Sequence, residues 1–507
     1  MASKPNVARI YSCFANGTEC IDSVVEVSIS PGIPTFNVIG QCDSSIKEAQ
    51  GRLISAFKAS GFSMPKGHIT VGISPAYIRK SGTGFDLPMA IGILFASGQL
   101  YLPPESKIYA EGEVALNGEI KATPGSCIRL KSVRNISGLD YKIIPGAESS
   151  SAGLAGFRGV SINNLSELSD IFDGDNYKES EFFVNPVHTD DNYIDISALK
   201  GQEKTKRALL ISACGFHNIL LLGSPGSGKT MGGKILAGIL PGLSQNELSD
   251  VYSINELVEG ESADLSDSRP VRIIGPNITV GKLIGNSGSI TPGELALANH
   301  GILFADELPL YKTDVLDFLR GPLEERKVRI IRRGNTYSFD SDLIFLGTGN
   351  PCKCGKLYES GTKCRCSETE KRRYLSKISG PFMERIDIVS EMRSVKGEDL
   401  ASIYIDKENG ESLIYRDIVE RCWQKAHERY GDKYLNATFP DGDIIDSMRI
   451  TEEAIKYASE LSEKEFFSAR GFTRILRVAR TIADIKDAED VTKEDISEAA
   501  QFRMRGV

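Results

Sequence analysis

The chain has 507 residues, about three times the length of a typical domain, so a lone small module is excluded and two to four domains are expected. Hydrophobic residues make up 41% of the sequence and charged residues 25%, which excludes the disordered and fibrous classes. The 60 basic and 68 acidic residues give a net charge of −8, so the bulk charge does not indicate a nucleic-acid partner, although one local basic face could still bind a polyanion.

The first residues lack a basic segment followed by an apolar run, and no segment reaches the roughly 18 apolar residues that a membrane span requires. We therefore expect a cytoplasmic protein that has no membrane partner. Ten cysteines are too sparse for a disulfide scaffold. Four of them lie within residues 352–366, a clustering that indicates metal ligation.

Residues 1–172 alternate short β-rich runs, such as residues 69–73, with helical runs, such as residues 45–60. This mixture predicts an α+β domain. The polar and acidic stretch that follows, residues 173–195, is typical of an exposed connector. We therefore place the first domain boundary there.

Residues 196–394 repeat a rhythm of strand then helix, with apolar strands expected at 219–222, 302–305 and 343–346. Strands that are apolar without alternation are typical of a parallel sheet covered on both faces. The sequence therefore predicts an α/β core. Residues 395–507 are helical in pattern: a helix start lies at 451–453, and one apolar stripe is formed by Ile475, Leu476, Ala479 and Ile482.

Directly after the first core strand, eight residues fit the phosphate-loop pattern in full and precede a helical run. The glycines let the backbone N–H groups point at the β- and γ-phosphates of ATP, where the helix N-terminus adds positive potential. Lys229 then reaches the outer phosphates and Thr230 the Mg²⁺ ion. The alternative, a Gly-rich turn before an ordinary helix, is disfavoured because the strand, the loop and the helix all lie where a phosphate loop requires them. The loop residues are Gly223, Ser224, Pro225, Gly226, Ser227, Gly228, Lys229 and Thr230.

Two later strands end in polar residues that complete this chemistry. Asp306 would bind Mg²⁺ and Glu307 would orient the attacking water, although an apolar strand ending in two acids is also common at solvent. Asn350 could hold the same water or the γ-phosphate. Its alternative role is that of a turn residue before Pro351.

Residues 325–339 read as a β-hairpin in which apolar residues alternate with basic ones around an Arg-Gly-Asn turn. Such a tip could grip a phosphate backbone without reading its sequence. The alternative is a charged hairpin balanced by Glu324 and Glu325. The candidate DNA contacts are Lys327, Arg329, Arg332 and Arg333.

Two close pairs of cysteines follow the third core strand, and glycines between them permit tight turns. Four thiolates make a closed structural Zn²⁺ site with no open position for catalysis. Free thiols and an iron–sulfur cluster remain alternatives, because the C-x-C spacing is tighter than the usual zinc spacing. The candidate ligands are Cys352, Cys354, Cys364 and Cys366.

A series of motifs resembles the magnesium-chelatase-like AAA+ ATPases of the YifB/ComM type across nearly the whole chain. They are residues 199–203 (LKGQE), 292–294 (PGE), 301–309 (GILFADELP), 349–352 (GNPC), 379–387 (SGPFMERID) and 468–471 (SARG). The resemblance implies a homo-hexameric ring with ATP between neighbours, each subunit donating an arginine to the next site. Arg385 is then the candidate arginine finger, and Arg470 resembles the family's second sensor.

Residues 9–170 resemble the proteolytic domain of Lon proteases. On that pattern Gly84 stands at the nucleophilic serine and Cys127 at the lysine, so the catalytic dyad is missing, and a shifted Ser81–Lys121 pair is disfavoured. The domain is expected to be a scaffold or DNA-facing collar. The chain also departs from the family at residues 269–277, where relatives carry two histidines after an Arg-Pro-Phe-Arg motif and this chain carries none.

The resemblance therefore implies an AAA+ parallel-sheet core (196–394, with the cysteine insert 352–366) between a Lon-protease-like domain and a helical lid (395–507). It implies an ATP-driven motor that translocates branched or single-stranded DNA in recombination or natural transformation, with recombination proteins as further partners. The first alternative is a magnesium-chelatase-like ATPase that remodels a protein partner for metal insertion. An ATP-dependent protease is the second, and the missing dyad disfavours it.

Overall fold

The computed structural model describes residues 7–101, 103, 105–134, 136–172, 177–187, 193–288, 290–332, 335–358, 364–378, 380–393, 410–442, 444–465 and 467–503. Three sequence predictions fall partly or wholly outside these residues. They are parts of the expected connector 173–195, the expected boundary at residues 394 and 395, and Arg333.

The amino-terminal part of the chain is built on an eight-stranded mixed sheet with the strand order β10-β9-β8-β5-β1-β2-β4-β3. Its two longest strands, β1 and β2, pair antiparallel as a hairpin. The strands are β1 (Val7–Asn16), β2 (Glu19–Ser30), β3 (Thr35–Ile39), β4 (His68–Ser74), β5 (Ile108–Ala110), β8 (Tyr141–Pro145), β9 (Arg158–Ile162) and β10 (Ser180–Glu181), with β6 (Glu113–Val114) and β7 (Ile120–Lys121) forming a separate ribbon.

Helices pack on this sheet, and the helix Asp86–Ala96 is buried along almost its entire length against β1 and β2. The run predicted as one helix over 45–60 forms two helices, with Glu48 between them. This is the α+β architecture expected from the sequence. The helices are Ser44–Lys47, Ala49–Ala59, Asp86–Ala96, Ser126–Val133, Ser149–Ala155 and Glu167–Phe172.

The centre of the chain forms a five-stranded parallel sheet with the order β12-β15-β18-β11-β19. Every residue of β11, β15 and β18 is buried, as expected for strands covered on both faces. The predicted α/β core is therefore confirmed. The strands are β11 (Ile219–Gly223), β12 (Val271–Ile274), β15 (Ile302–Ala305), β18 (Ile344–Gly349) and β19 (Ile388–Met392), with two separate hairpins, β13 (Gly285–Asn286) with β14 (Thr291–Pro292) and β16 (Lys327–Arg332) with β17 (Asn335–Asp340).

Helices cover both faces of this sheet and continue into a helical end. The helix Ala469–Ile485 buries the four apolar residues of the expected stripe. Among the described residues, no helix combines the length and apolar character needed to cross a bilayer. The helices are Glu203–Gly215, Lys229–Ile239, Gln245–Glu259, Val280–Ile284, Glu294–Leu297, Thr313–Glu325, Glu368–Leu375, Gly380–Met383, Glu411–Tyr430, Ile444–Ser447, Glu452–Glu465, Ala469–Ile485 and Lys493–Ala500.

Candidate functional site

The phosphate-loop sequence lies between the end of β11 and the helix Lys229–Ile239. Gly226 and Gly228 adopt φ angles of +76° and +90°, in the left-handed region that favours glycine. A Cβ atom at Gly226 would meet nothing within 4 Å, so the backbone angle rather than crowding requires glycine there. The loop therefore curls at the positively polarised N-terminus of a helix, where anions bind.

Lys229 connects the loop to Asn350, the residue that follows β18. Its Nζ atom donates to the carbonyl oxygens of Gly223 and Ser224 at 2.8 and 2.9 Å and to Asn350 Oδ1 at 3.2 Å. Burial lowers the pKa of Lys229, while the carboxylates of Asp306 and Glu307 act in the opposite direction. The structure thus brings four of the predicted residue positions, 229, 306, 307 and 350, to one edge of the sheet.

The two acids at the end of β15 are held by a residue that the sequence analysis did not single out. The Thr348 hydroxyl donates to Asp306, and the Glu307 backbone N–H donates to that hydroxyl oxygen at 3.2 Å. Glu307 has a φ angle of +56° and is exposed, so the chain turns sharply and presents its carboxylate at the edge of the sheet. The sequence offered one sign of this role: Thr348 is a hydroxyl residue in the Gly-Thr-Gly-Asn motif at the end of β18.

The loop offers donors that fit a nucleotide. Within the described part of the chain, the hydroxyls of Ser224 and Ser227 are buried without a hydrogen-bond partner, whereas Thr230 is exposed at the start of its helix. The loop N–H groups and Lys229 would hold the β- and γ-phosphates of ATP. Thr230 and Asp306 carry the oxygen atoms that Mg²⁺ prefers. Bound Mg²⁺ would neutralise charge on the phosphates.

The two predicted arginines are gathered around one carboxylate, that of Glu324. Arg385 Nη2 donates to Glu324 Oε2 at 2.7 Å, and Arg470 Nη2 lies 2.9 Å from Glu324 Oε1. The Arg385 side chain is 5% exposed and the Arg470 side chain 51% exposed. From the sequence, Glu324 was predicted only to balance the charge of the hairpin. Its contact with the two arginines was not predictable, because both are far from it along the chain.

Arg385 lies at the edge of the sheet opposite to the phosphate loop. Asn218, the residue before β11, donates from its side-chain amide to the Arg385 carbonyl oxygen at 3.0 Å. The loop follows the other end of β11, and a strand of 5 residues spans roughly 16 Å. Arg385 is therefore remote from the phosphate loop of the same chain.

The sulfur atoms of Cys352, Cys354, Cys364 and Cys366 all lie within 4.8 Å of one another. Three of the separations are 3.4, 3.5 and 3.6 Å. Tetrahedral zinc with bonds of about 2.3 Å places its sulfur ligands roughly 3.8 Å apart, so the arrangement is compatible with zinc. A backbone N–H group, that of Lys356, lowers the pKa of Cys354 to about 6, which favours the thiolate that metals bind.

The cysteine cluster lies beside the phosphate loop. A Cβ atom at Gly355 would stand 2.7 Å from Cδ of Pro225, so the turn between Cys354 and the rest of the insert packs directly on the loop. Tyr358 donates from its hydroxyl to Glu391 at the end of β19, at 2.8 Å. The insert is therefore part of the wall of the candidate nucleotide site.

The basic hairpin forms as β16 and β17, with Val328 and Ile330 buried and Arg329 exposed. Lys327 Nζ lies 3.3 Å from Glu19 and 3.5 Å from Asp340. Arg329 pairs with Glu325, as the balanced-charge alternative expects, and Arg332 lies opposite Asn335. Arg333, the fourth predicted contact, is outside the described residues.

The two residues that align with the Lon-type dyad, Gly84 and Cys127, cannot form a serine–lysine pair. Gly84 has no side chain to act as nucleophile. Cys127 is buried at the start of the helix Ser126–Val133, where its Sγ atom contacts Ser249 of the central part at 3.5 Å. Burial raises the pKa of Cys127, which makes this thiol a poor nucleophile.

Comparison with known proteins assigns families to three stretches of the chain. Residues 25–146 match the family described as subunit ChlI of Mg-chelatase, residues 195–400 match magnesium chelatase, subunit ChlI, and residues 410–503 match the ChlI C-terminal family. The Magnesium-chelatase 38 kDa subunit of Cereibacter sphaeroides is 27% identical over 31% of this chain and 52% of its own length.

Two relatives align over almost the whole chain. YifB of Escherichia coli is 31% identical over 504 residues, which cover 98% of this chain and 97% of the relative. Competence protein ComM of Haemophilus influenzae is 32% identical over 513 residues, with the same shares covered. Identity of this extent, together with the phosphate loop and the parallel sheet, identifies the chain as a member of the magnesium-chelatase-like AAA+ ATPase family of the YifB/ComM type.

Proposed function

We propose that the protein is a homo-hexameric motor that hydrolyses ATP at sites shared between subunits and uses this energy to translocate branched or single-stranded DNA. We further propose the domain division 1–172, 173–195, 196–394 and 395–507. The observation that carries the shared-site proposal is the position of Arg385, with Arg470 at the same carboxylate. Arg385 is remote from the loop of its own chain, and Arg470 shares the carboxylate that Arg385 contacts, so in this proposal both serve catalysis in a neighbour's site.

Each residue of the site has a distinct role in this proposal. Lys229 and the loop N–H groups bind the phosphates, and Asp306 with Thr230 binds Mg²⁺. Glu307 orients the attacking water, and Asn350 holds the γ-phosphate or that water. Arg385 of the adjacent subunit stabilises the charge of the transition state. Hydrolysis then depends on assembly, because no single subunit contains the complete site.

The hairpin β16–β17 supports the DNA part of the proposal. Arg329 is exposed, and its pair with Glu325 is a surface pair of the kind that contributes little to stability. A phosphate backbone can therefore replace the carboxylate at small cost. Contacts of this kind are independent of base sequence and weaken as the salt concentration rises.

Replacing Lys327 and Arg329 together by Ala tests the DNA contact. We expect weaker binding of single-stranded and forked DNA. The negative slope of log affinity against log salt concentration should become shallower by about two, one for each lost phosphate contact. Fluorescence anisotropy across a salt titration measures both. The matched control replaces Lys456 and Lys464, which are exposed on the helix Glu452–Glu465, and should retain the full slope. Unaltered binding by the hairpin variant excludes this DNA contact.

We also propose that the four cysteines hold a structural zinc ion. The support is the sulfur separations, and the packing of Gly355 on Pro225 gives the metal a role in shaping the nucleotide site. No open coordination position remains, so the ion stabilises the insert and takes no part in the reaction.

Metal analysis of protein purified without chelator should find about one zinc per chain. Cys364→Ser should lose the zinc and bind ATP more weakly, because the insert no longer supports the phosphate loop. Cys20→Ser, at a half-buried cysteine outside the cluster, is the matched control and should keep the metal. Absorption bands of an iron–sulfur cluster, or a zinc-free protein, would refute the assignment.

The alternative of a metal-insertion motor rests on relatives that match less than a third of the chain. The same DNA assay separates the two proposals. An ATPase rate that is insensitive to single-stranded and forked DNA, with binding unaffected by the hairpin substitutions, favours the metal-insertion alternative.

A further inference from the structure

The amino-terminal sheet contacts the basic hairpin where β1 turns into β2, at residues 16–18, and Glu19 at the start of β2 adds the pair with Lys327. The Thr18 backbone N–H donates to the Ser338 carbonyl oxygen at 2.8 Å, and the Asn16 side-chain amide donates to the Thr336 carbonyl oxygen at 3.2 Å. The Thr18 hydroxyl donates to Asp340 at 2.8 Å. Three hydrogen bonds thus attach the turn along the outer edge of β17.

Gly17 is the residue that allows this approach. Its φ angle is +76°, and a Cβ atom there would stand 1.9 Å from the Ser338 carbonyl oxygen. Any side chain at position 17 would therefore push the turn away from the hairpin. A two-stranded hairpin is marginally stable by itself, so an edge contact of this kind contributes to its position.

A second contact fixes the amino-terminal domain to the central core. The Glu256 carboxylate, on the helix Gln245–Glu259, accepts hydrogen bonds from the Cys127 backbone N–H at 3.0 Å, the Ser151 hydroxyl at 3.1 Å and the Ser126 hydroxyl. Glu256 is buried, and its polar partners all belong to the amino-terminal part. The domain is therefore held at two separate places, the core helix and the hairpin edge.

We propose that the turn 16–18 is a positioning element for DNA binding: it holds the β16–β17 hairpin in the orientation that meets the phosphate backbone, and the amino-terminal domain moves with the hairpin. This inference rests on the proposed function of the hairpin. It gives the amino-terminal domain, which lacks the protease dyad, a mechanical role in the motor. Gly17 and Thr18 do not contact DNA in this proposal but act through Ser338 and Asp340.

Hydrogen exchange on the full chain tests the coupling directly. Adding a single-stranded oligothymidylate should slow exchange in the hairpin and also at residues 16–18. Protection that stops at the hairpin and leaves the turn unaltered would overturn the proposal.

Substitutions in the turn provide the second test. Thr18→Val removes the hydroxyl at nearly constant size and should weaken oligothymidylate binding about fivefold, the worth of roughly one hydrogen bond, whereas Thr18→Ser should bind like the wild type. Gly17→Ala should weaken it about tenfold or more, because the added Cβ displaces all three contacts. Gly61→Ala is the matched control: Gly61 has a φ angle of +84° but open space around its Cβ position, so binding should be unaltered.

The outcomes separate this inference from the proposed function. If Lys327 and Arg329 are needed for DNA binding but Gly17→Ala and Thr18→Val bind as the wild type does, the positioning role is wrong and the DNA function stands. If the variant that lacks Lys327 and Arg329 binds DNA normally, the proposed DNA contact is wrong, and the positioning role that rests on it is wrong as well. Should Gly17→Ala prove unfolded in a thermal melt, the Thr18 pair decides the question.

Discussion

Arg385→Ala should lower the ATPase turnover by about 10³ to 10⁵, the range that removal of an arginine finger produces. The guanidinium is expected to stabilise charge that develops on the neighbour's γ-phosphate, so substrate binding should be affected far less than turnover. Steady-state kinetics with a separate ATP-binding measurement checks this split. A variant that hydrolyses ATP at the wild-type rate would mean that Arg385 serves only its pair with Glu324.

Mixing experiments tell a shared site from a damaged fold. Arg385→Ala and Glu307→Gln subunits are each expected to be inactive alone, yet a mixed ring contains interfaces where one subunit supplies Glu307 and the next supplies Arg385. Random assembly of equal amounts produces such an interface about one time in four, so roughly a quarter of the activity should return. Mixtures as inactive as their components would contradict catalysis between subunits.

Glu307→Gln is the second substitution with a large expected effect. It keeps the size of the side chain but removes the carboxylate that orients water, so turnover should fall by about 10² to 10⁴. ATP should remain bound, because Lys229 and the loop are intact, and the nucleotide should be recovered unhydrolysed from the assembled ring. Single-turnover measurements with labelled ATP check both results.

The matched control for this substitution is Asp314→Asn. Asp314 is an exposed acid in the first turn of the helix Thr313–Glu325, a few residues beyond Glu307. It should hydrolyse ATP at close to the wild-type rate, because its charge lies outside the site. Rapid hydrolysis by Glu307→Gln, with a normal control, would assign the water-orienting role to another carboxylate.

The parts of the fold that follow from local pattern were predictable. An apolar run such as β15, set in a repeated rhythm of strand then helix, is typical of a strand buried on both faces. Gly226 and Gly228 of the phosphate loop adopt backbone angles that few other residues adopt. The same applies to the alternation in β16, where Val328 and Ile330 face the core.

Contacts between distant segments were not predictable in this way. Glu324 meets Arg385 and Arg470 only because the helix Thr313–Glu325, the turn after the helix Gly380–Met383 and the helix Ala469–Ile485 converge there. Thr348 supports Asp306 across two paired strands. The helix predicted over 45–60 shows the limit of periodicity: its apolar spacing continues through Glu48, although the backbone forms two separate helices there.

The carboxylate of Glu256 bears on how the amino-terminal domain separates from the central core. Three donors of the amino-terminal domain converge on this carboxylate. If the domain shifted along the helix by the width of one side chain, the buried carboxylate would lose these donors, at a cost of about 1 to 3 kcal/mol for each unmet group. Glu256 is buried in the docked domain, so no bulk water reaches the carboxylate to replace a lost donor. We therefore expect the amino-terminal domain to separate from the helix Gln245–Glu259 in one cooperative step.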